Sequence, residues 1–159
     1  MVDASRRGFF RGRPSPKAET RPPWALAESL FTDCCTRCND CIGACPEQII
    51  VIGDGGYPTI DFKRGECTFC ADCVSACKPL ALVRGEDQPG WTHKAVIADS
   101  CLPHRGVECR VCEDFCDARA IRFSPRLGGS PLPVIDTEKC TGCGACLAPC
   151  PVNAISIAA

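Results

Sequence analysis

The stretch CTGCGACLAPCP, Cys140 to Pro151, sets Cys140, Cys143, Cys146 and Cys150 in the pattern CxxCxxCxxxC and follows the last cysteine with proline. Three thiolates at two-residue intervals reach three irons of a 4Fe-4S cube. The fourth, three residues further on and before proline, reaches toward a neighbouring cluster. The small residues Gly142, Gly144 and Ala145 suit a backbone that passes close to a cube and turns its N–H groups toward sulfur. Pro151 ends the turn by removing a donor and fixing φ.

Working outward, the same run recurs with a period of just over thirty residues, so the fold is built by repetition. The first copy is CTRCNDCIGACP, with Cys35, Cys38, Cys41 and Cys45; the second is CTFCADCVSACKP, with Cys67, Cys70, Cys73 and Cys77 and a proline displaced to Pro79. Between them QIIVIGDGGYPTIDF, Gln48 to Phe62, spells a hairpin turning at Asp54-Gly55-Gly56. After the second copy, LALVRG and HKAVIADS are expected as two short strands around a Pro89-Gly90 turn. The third copy is degenerate: Cys101 stands eight positions before Cys109, Cys112 and Cys116 follow at normal distances, and Asp117 replaces the proline. Closing a few extra loop residues costs little entropy, but a lost CxxC is also what a decaying site would show, so a fourth cluster stays open. Ala120 to Asp136 is another hairpin, and AISIAA after the fourth copy is a last strand. WALAESLF, Trp24 to Phe31, fits one or two turns of helix packed on the first module. Each module is expected to be a cysteine loop, a short helix carrying the last two cysteines, and a strand.

Composition agrees with a metal-built core. Seventeen of 159 residues are cysteine, while Leu, Ile, Val and Phe together make only 34, near the level at which chains fail to fold unaided. The odd cysteine total and tight CxxC spacing favour metal over a disulfide scaffold. Structural zinc normally shows two CxxC pairs a dozen or more residues apart, unlike these compact runs. Cys34, beside Cys35, is read as a spare thiol, and His93 and His104 as lone histidines outside any metal set. Nothing resembles a nucleophile with its base, a phosphate loop or paired carboxylates, so an enzyme is not expected.

Residues 1–23 form a basic arm, with Arg6, Arg7, Arg11, Arg13, Lys17 and Arg21 against Asp3 and Glu19; the whole chain is at −1, so the remainder is net acidic. Ser5 to Phe10, SRRGFF, looks like the start of a twin-arginine export signal. The apolar h-region such a signal needs does not follow. A flexible arm or docking peptide on a cytoplasmic protein is therefore expected, with neither membrane insertion nor nucleic-acid binding.

SRRGFFRG, RPPW at Arg21 to Trp24, CTRCNDCIGACP with GDGGYPTIDF, GECTFCADCVSAC, CRVCEDFCDARAI and CTGCGACLAPCPVNAI together resemble the NapF-type ferredoxins, accessory proteins of the periplasmic nitrate reductase system. The resemblance implies a cytoplasmic protein that binds the catalytic molybdenum subunit of that reductase and assists its iron-sulfur maturation before export. It also implies three 4Fe-4S clusters, on Cys35, Cys38, Cys41 and Cys45; Cys67, Cys70, Cys73 and Cys77; and Cys140, Cys143, Cys146 and Cys150. Cys101, Cys109, Cys112 and Cys116 are candidates for a fourth. A low-potential electron-transfer ferredoxin is the alternative function, because both need the same cubes.

The expected fold is α+β and ferredoxin-like, two double-cluster lobes at 24–98 and 99–159. In such lobes the ligand sets cross: Cys35, Cys38 and Cys41 share with Cys77, Cys67, Cys70 and Cys73 with Cys45, and Cys140, Cys143 and Cys146 with Cys116. A nested pairing of first motif with fourth is the alternative.

Overall fold

The computed structural model describes residues 19–158; the twin-arginine-like start and most of the expected arm lie outside them. Short elements follow one another: α1 (Glu28–Cys34), α2 (Asp40–Gly43), β1 (Ile50–Ile52), β2 (Pro58–Ile60), α3 (Asp72–Ser75), β3 (Lys94–Ile97), α4 (Val111–Asp114), β4 (Ile121–Arg126), β5 (Gly129–Ile135) and β6 (Ile155–Ala158). Among the described residues strands pair only in twos, all antiparallel: β1 with β2, β4 with β5, and β3 with β6.

Behind this lies one repeated turn. Three residues after the last cysteine of every motif stands a residue with positive φ: Gln48, Leu80, Arg119 and Asn153. Each donates its N–H to the carbonyl of that cysteine, at 3.1, 3.2, 2.8 and 3.2 Å. The next two residues then dive inward as Ile49-Ile50, Ala81-Leu82, Ala120-Ile121 and Ala154-Ile155, none more than 8% exposed. Each buried Ile or Leu of these pairs contributes about 2 kcal/mol. The third motif keeps this turn although it has lost its proline, so the hydrogen bond and the buried pair, not Pro, define it.

Two cores result. One gathers Phe31, Cys41, Ile49, Ile50, Phe62, Cys73, Ala81 and Leu82; the other Ala95, Cys112, Ala120, Ile121, Cys140, Cys146 and Ile155. Each half repeats one plan, an inner hairpin after its first motif and an outer pairing between its first and last extended segments. In the amino-terminal half the outer pairing is the single bridge Ala25–Leu82, and in the other half it is the four-residue ladder of β3 with β6.

This plan departs from expectation in four places. LALVRG and HKAVIADS do not pair with each other, because Leu82 is taken by Ala25 and β3 by β6. Ala95 thus belongs to the second core, ahead of the expected boundary at 98. The first helix begins at Glu28, not at Trp24, whose φ of 58° is incompatible with a helix. The short helices carry only the third cysteine of their motifs, Cys41, Cys73 and Cys112, and the last cysteine stands just beyond.

Residues 19–23, assigned to the arm by charge, are packed. Arg21 holds Glu19 at 3.1 Å and Glu28 at 2.7 Å, donates to the Pro58 carbonyl at 3.2 Å, and lies over the rings of Phe31 and Tyr57. The Glu28 carboxylate, the largest influence, and Glu19 hold its pKa above the ordinary value. The Thr20 carbonyl accepts from Ile60 N–H and the Thr59 hydroxyl, and Pro22 is fully buried. No helix among the described residues is long and apolar enough to cross a membrane.

Candidate iron-sulfur centres

Each regular motif coils its backbone the same way. The residue before the second cysteine and the residue after it both have positive φ: Arg37 and Asn39, Phe69 and Ala71, Gly142 and Gly144. Glycine is at ease there and the other four are strained, each by about 1 kcal/mol or more. The identical conformation on such different side chains means that the geometry of the loop, not residue preference, sets these angles. It turns the loop inward, and the third cysteine of each regular motif is buried: Cys41, Cys73 and Cys146; Cys112 of the degenerate copy is buried too, although Arg110 there has φ −130°.

The last cysteine crosses over. Cys35, Cys38, Cys41 and Cys77 line one pocket, together with Phe31, Ala81 and Leu82. Cys45, Cys67, Cys70 and Cys73 line a second, with Ile49, Ile50 and Phe69. Each pocket thus brings three cysteines of one motif together with the last cysteine of the other. Burial, then the nearness of Cys77 and Cys35, pushes the Cys41 thiol up to about 12. Burial pushes Cys73 up to about 12 and Cys67 up to about 11, with Cys45 and Cys70 among the neighbours raising each.

The carboxy-terminal half follows suit. Burial raises Cys101, with Cys150 and Cys109 as the charged neighbours; burial also pushes Cys112 up to about 11, with Cys101, Cys109 and Cys150 beside it. The degenerate motif thus brings its first three cysteines to the last cysteine of the fourth motif. Cys101 gets there because a 3-10 turn, Leu102–Arg105, and Gly106 at φ 80° fold the extra residues back. Cys146 is pushed up to about 12 by burial, with Cys143, Cys112 and Cys140 nearby, and Cys116 packs against the same core.

Backbone N–H groups point at four of these sulfurs: Phe69 at Cys67, 3.4 Å; Ala95 at Cys140, 3.5 Å; Ala120 at Cys116, 3.2 Å; and Ala154 at Cys150, 3.3 Å. Such donors favour the thiolate and tune a bound cluster. Sets of four convergent thiols, apolar walls and inward N–H groups fit a 4Fe-4S cube in donor type and number. Raised thiol pKa values add that metal must displace protons on loading.

Other candidates stand apart. Cys34 ends α1 and only packs against the first core. His104 lies 3.6 Å from Asp99, and His93 stacks on Trp91 with its Nδ1 buried and unpartnered. Sequence reasoning missed the Arg21 node and the hydrogen bond from Lys94 Nζ to the Cys140 carbonyl, 2.6 Å; only RPPW, an unusual cluster of ring residues, marked the former.

Repeated cysteine loops on short helices and hairpins define a 4Fe-4S ferredoxin-type protein. The 4Fe-4S dicluster domain matches residues 34–82 and the 4Fe-4S binding domain residues 133–156, with the degenerate motif between them. The chain is 46% identical over 156 residues to the ferredoxin-type protein NapF of Escherichia coli strain K12, spanning 98% of this chain and 94% of that one. It is 51% identical over 138 residues to the ferredoxin-type protein NapF of Haemophilus influenzae, spanning 86% and 77%. With the methylamine utilization ferredoxin-type protein MauM of Methylobacillus flagellatus it shares 34% over 167 residues, 94% and 71% of the two chains. The chain belongs to the NapF family of ferredoxin-type proteins.

Proposed function

We propose that this chain is a cytoplasmic iron-sulfur accessory protein that binds the catalytic molybdenum subunit of periplasmic nitrate reductase and supports maturation of its iron-sulfur cluster before export. It is not itself an enzyme. The observation that carries this reading is the near end-to-end likeness to ferredoxin-type NapF. The function rests on two double-cluster lobes divided just ahead of β3. The ligand sets are Cys35, Cys38, Cys41 and Cys77; Cys45, Cys67, Cys70 and Cys73; Cys101, Cys109, Cys112 and Cys150; and Cys116, Cys140, Cys143 and Cys146. A 4Fe-4S cube, when bound, takes up and gives back single electrons. The chain's own part is to hold four thiolates at each site, exclude water with Phe31, Leu82 and Ile49, and aim N–H groups at sulfur.

The test is to purify the reductase from a strain lacking this protein and to count its iron. A reductase made in normal amount but short of its own cluster supports maturation; a normal iron content falsifies it and leaves the electron-transfer role.

A further inference from the structure

The two lobes meet through their cysteine loops. Cys67 donates its backbone N–H to the Cys143 carbonyl at 2.8 Å, so a ligand loop of one lobe is bonded directly to a ligand loop of the other. The seam is closely packed. Gly144, at φ 86°, has no room for a side chain because the Phe62 ring lies where a Cβ would be. Trp91 stands edge-on to both Phe62, at 5.7 Å, and Phe69, at 5.5 Å. Leu147 packs against both cores.

We infer that the Cys67–Cys143 hydrogen bond is the electron crossing between the lobes, which makes the four cysteine sets one series rather than two separate pairs. This rests on the assignment of those sets as 4Fe-4S sites. The bonded route runs from Cys67 Sγ through Cβ, Cα and N, across the hydrogen bond, and through O, C, Cα and Cβ to Cys143 Sγ. The packing of Phe62 against Gly144, next to Cys143, and of Trp91 on Phe62 and Phe69 restrains the two loops that carry it. Within each lobe the third cysteines share one core: Cys41 with Cys73, and Cys112 with Cys146. The order along the series is therefore the Cys35–Cys77 set, the Cys45–Cys73 set, the Cys116–Cys146 set and the Cys101–Cys150 set. One electron crosses per event. A reduced centre in one lobe is oxidised as its neighbour in the other is reduced, no bond breaks and no proton moves, and the electrons come from a low-potential one-electron donor.

The test removes the two outer sites from the full chain with Cys35→Ala, Cys38→Ala, Cys101→Ala and Cys109→Ala. After anaerobic reconstitution about eight irons are expected. On full reduction with dithionite, the electron paramagnetic resonance spectrum should be split by interaction between the two remaining centres. About eight irons with a spectrum equal to the sum of two isolated centres would overturn the crossing while leaving the site assignment intact. Fewer irons would overturn that assignment and the crossing with it. In the unaltered loaded protein, mass-spectrometric hydrogen exchange supplies a check independent of these substitutions. The Cys67 amide should be protected, and free exchange there would sink the proposal.

Discussion

Asn39 and Ala71 hold left-handed conformations, at φ 66° each, where the fourth motif has Gly144. Ala71→Gly should therefore relieve strain and raise stability by about 1 kcal/mol, net of the extra freedom glycine gains in the unfolded chain. Thermal loss of the cluster absorbance is the measurement, and an unchanged or lower midpoint would argue against a strained loop. The thiols carry a second expectation. Burial holds Cys41, Cys73 and Cys146 up to about 12, against an ordinary 9.0. The folded metal-free chain therefore keeps these protons to higher pH than the unfolded one. That stabilisation is complete below pH about 9 and is lost as pH rises toward 12. Melting of the metal-free chain at pH about 8 and about 10.5 should show a fall in midpoint, and a flat profile would mean that the thiols are not buried. The cysteine positions were legible in the sequence because metal ligation fixes their spacing. Arg21 was not. Its charge read as part of a basic arm, and only the fold brings Glu19, Glu28 and the Pro58 carbonyl around it.

At the scale of elements, Arg21 pins the strap of residues 19–26 over the first core. Arg21→Ala leaves two carboxylates facing each other and uncovers Phe31 and Tyr57, and should cost about 2–3 kcal/mol, read from denaturant unfolding. A loss under about 0.5 kcal/mol would show that the strap is held by Trp24 and Pro22 alone. The hairpins β1–β2 and β4–β5 were legible because turn and strand signals are local. The pairing of β3 with β6 was not, since it joins segments on either side of two motifs and no local pattern records it. The third motif was ambiguous for a related reason. A missing proline and a stretched spacing count as decay on paper, while the turn at Arg119 and the buried Ala120-Ile121 survive in space. Cys109→Ser with Cys112→Ser should lower bound iron from about sixteen to about twelve per chain. No change would make the third motif scaffold only.

For the whole molecule, apolar side chains are too few for one large core, and the structure answers with two small ones, each interleaved with cysteines. Cluster loading should therefore supply much of the stability and cooperativity of each half. Iron chelation under reducing conditions should lower the cooperativity of unfolding in both halves, which far-ultraviolet circular dichroism would follow; a metal-free chain melting as sharply as the loaded one would refute this.

The outer pairings also impose an order on synthesis. Leu82, the partner of Ala25, is made before the second half begins, so the amino-terminal module has all its strands and all its cysteines early. β3 must wait for β6, which is made only after both later motifs. On the ribosome, where domains fold from the amino terminus onward, the first pair of sites is complete while β3 and the sulfurs of Cys101, Cys109 and Cys112 still lack their partners. For that interval the nascent second module is the part of the chain most open to oxygen, and to whatever machinery delivers iron to it.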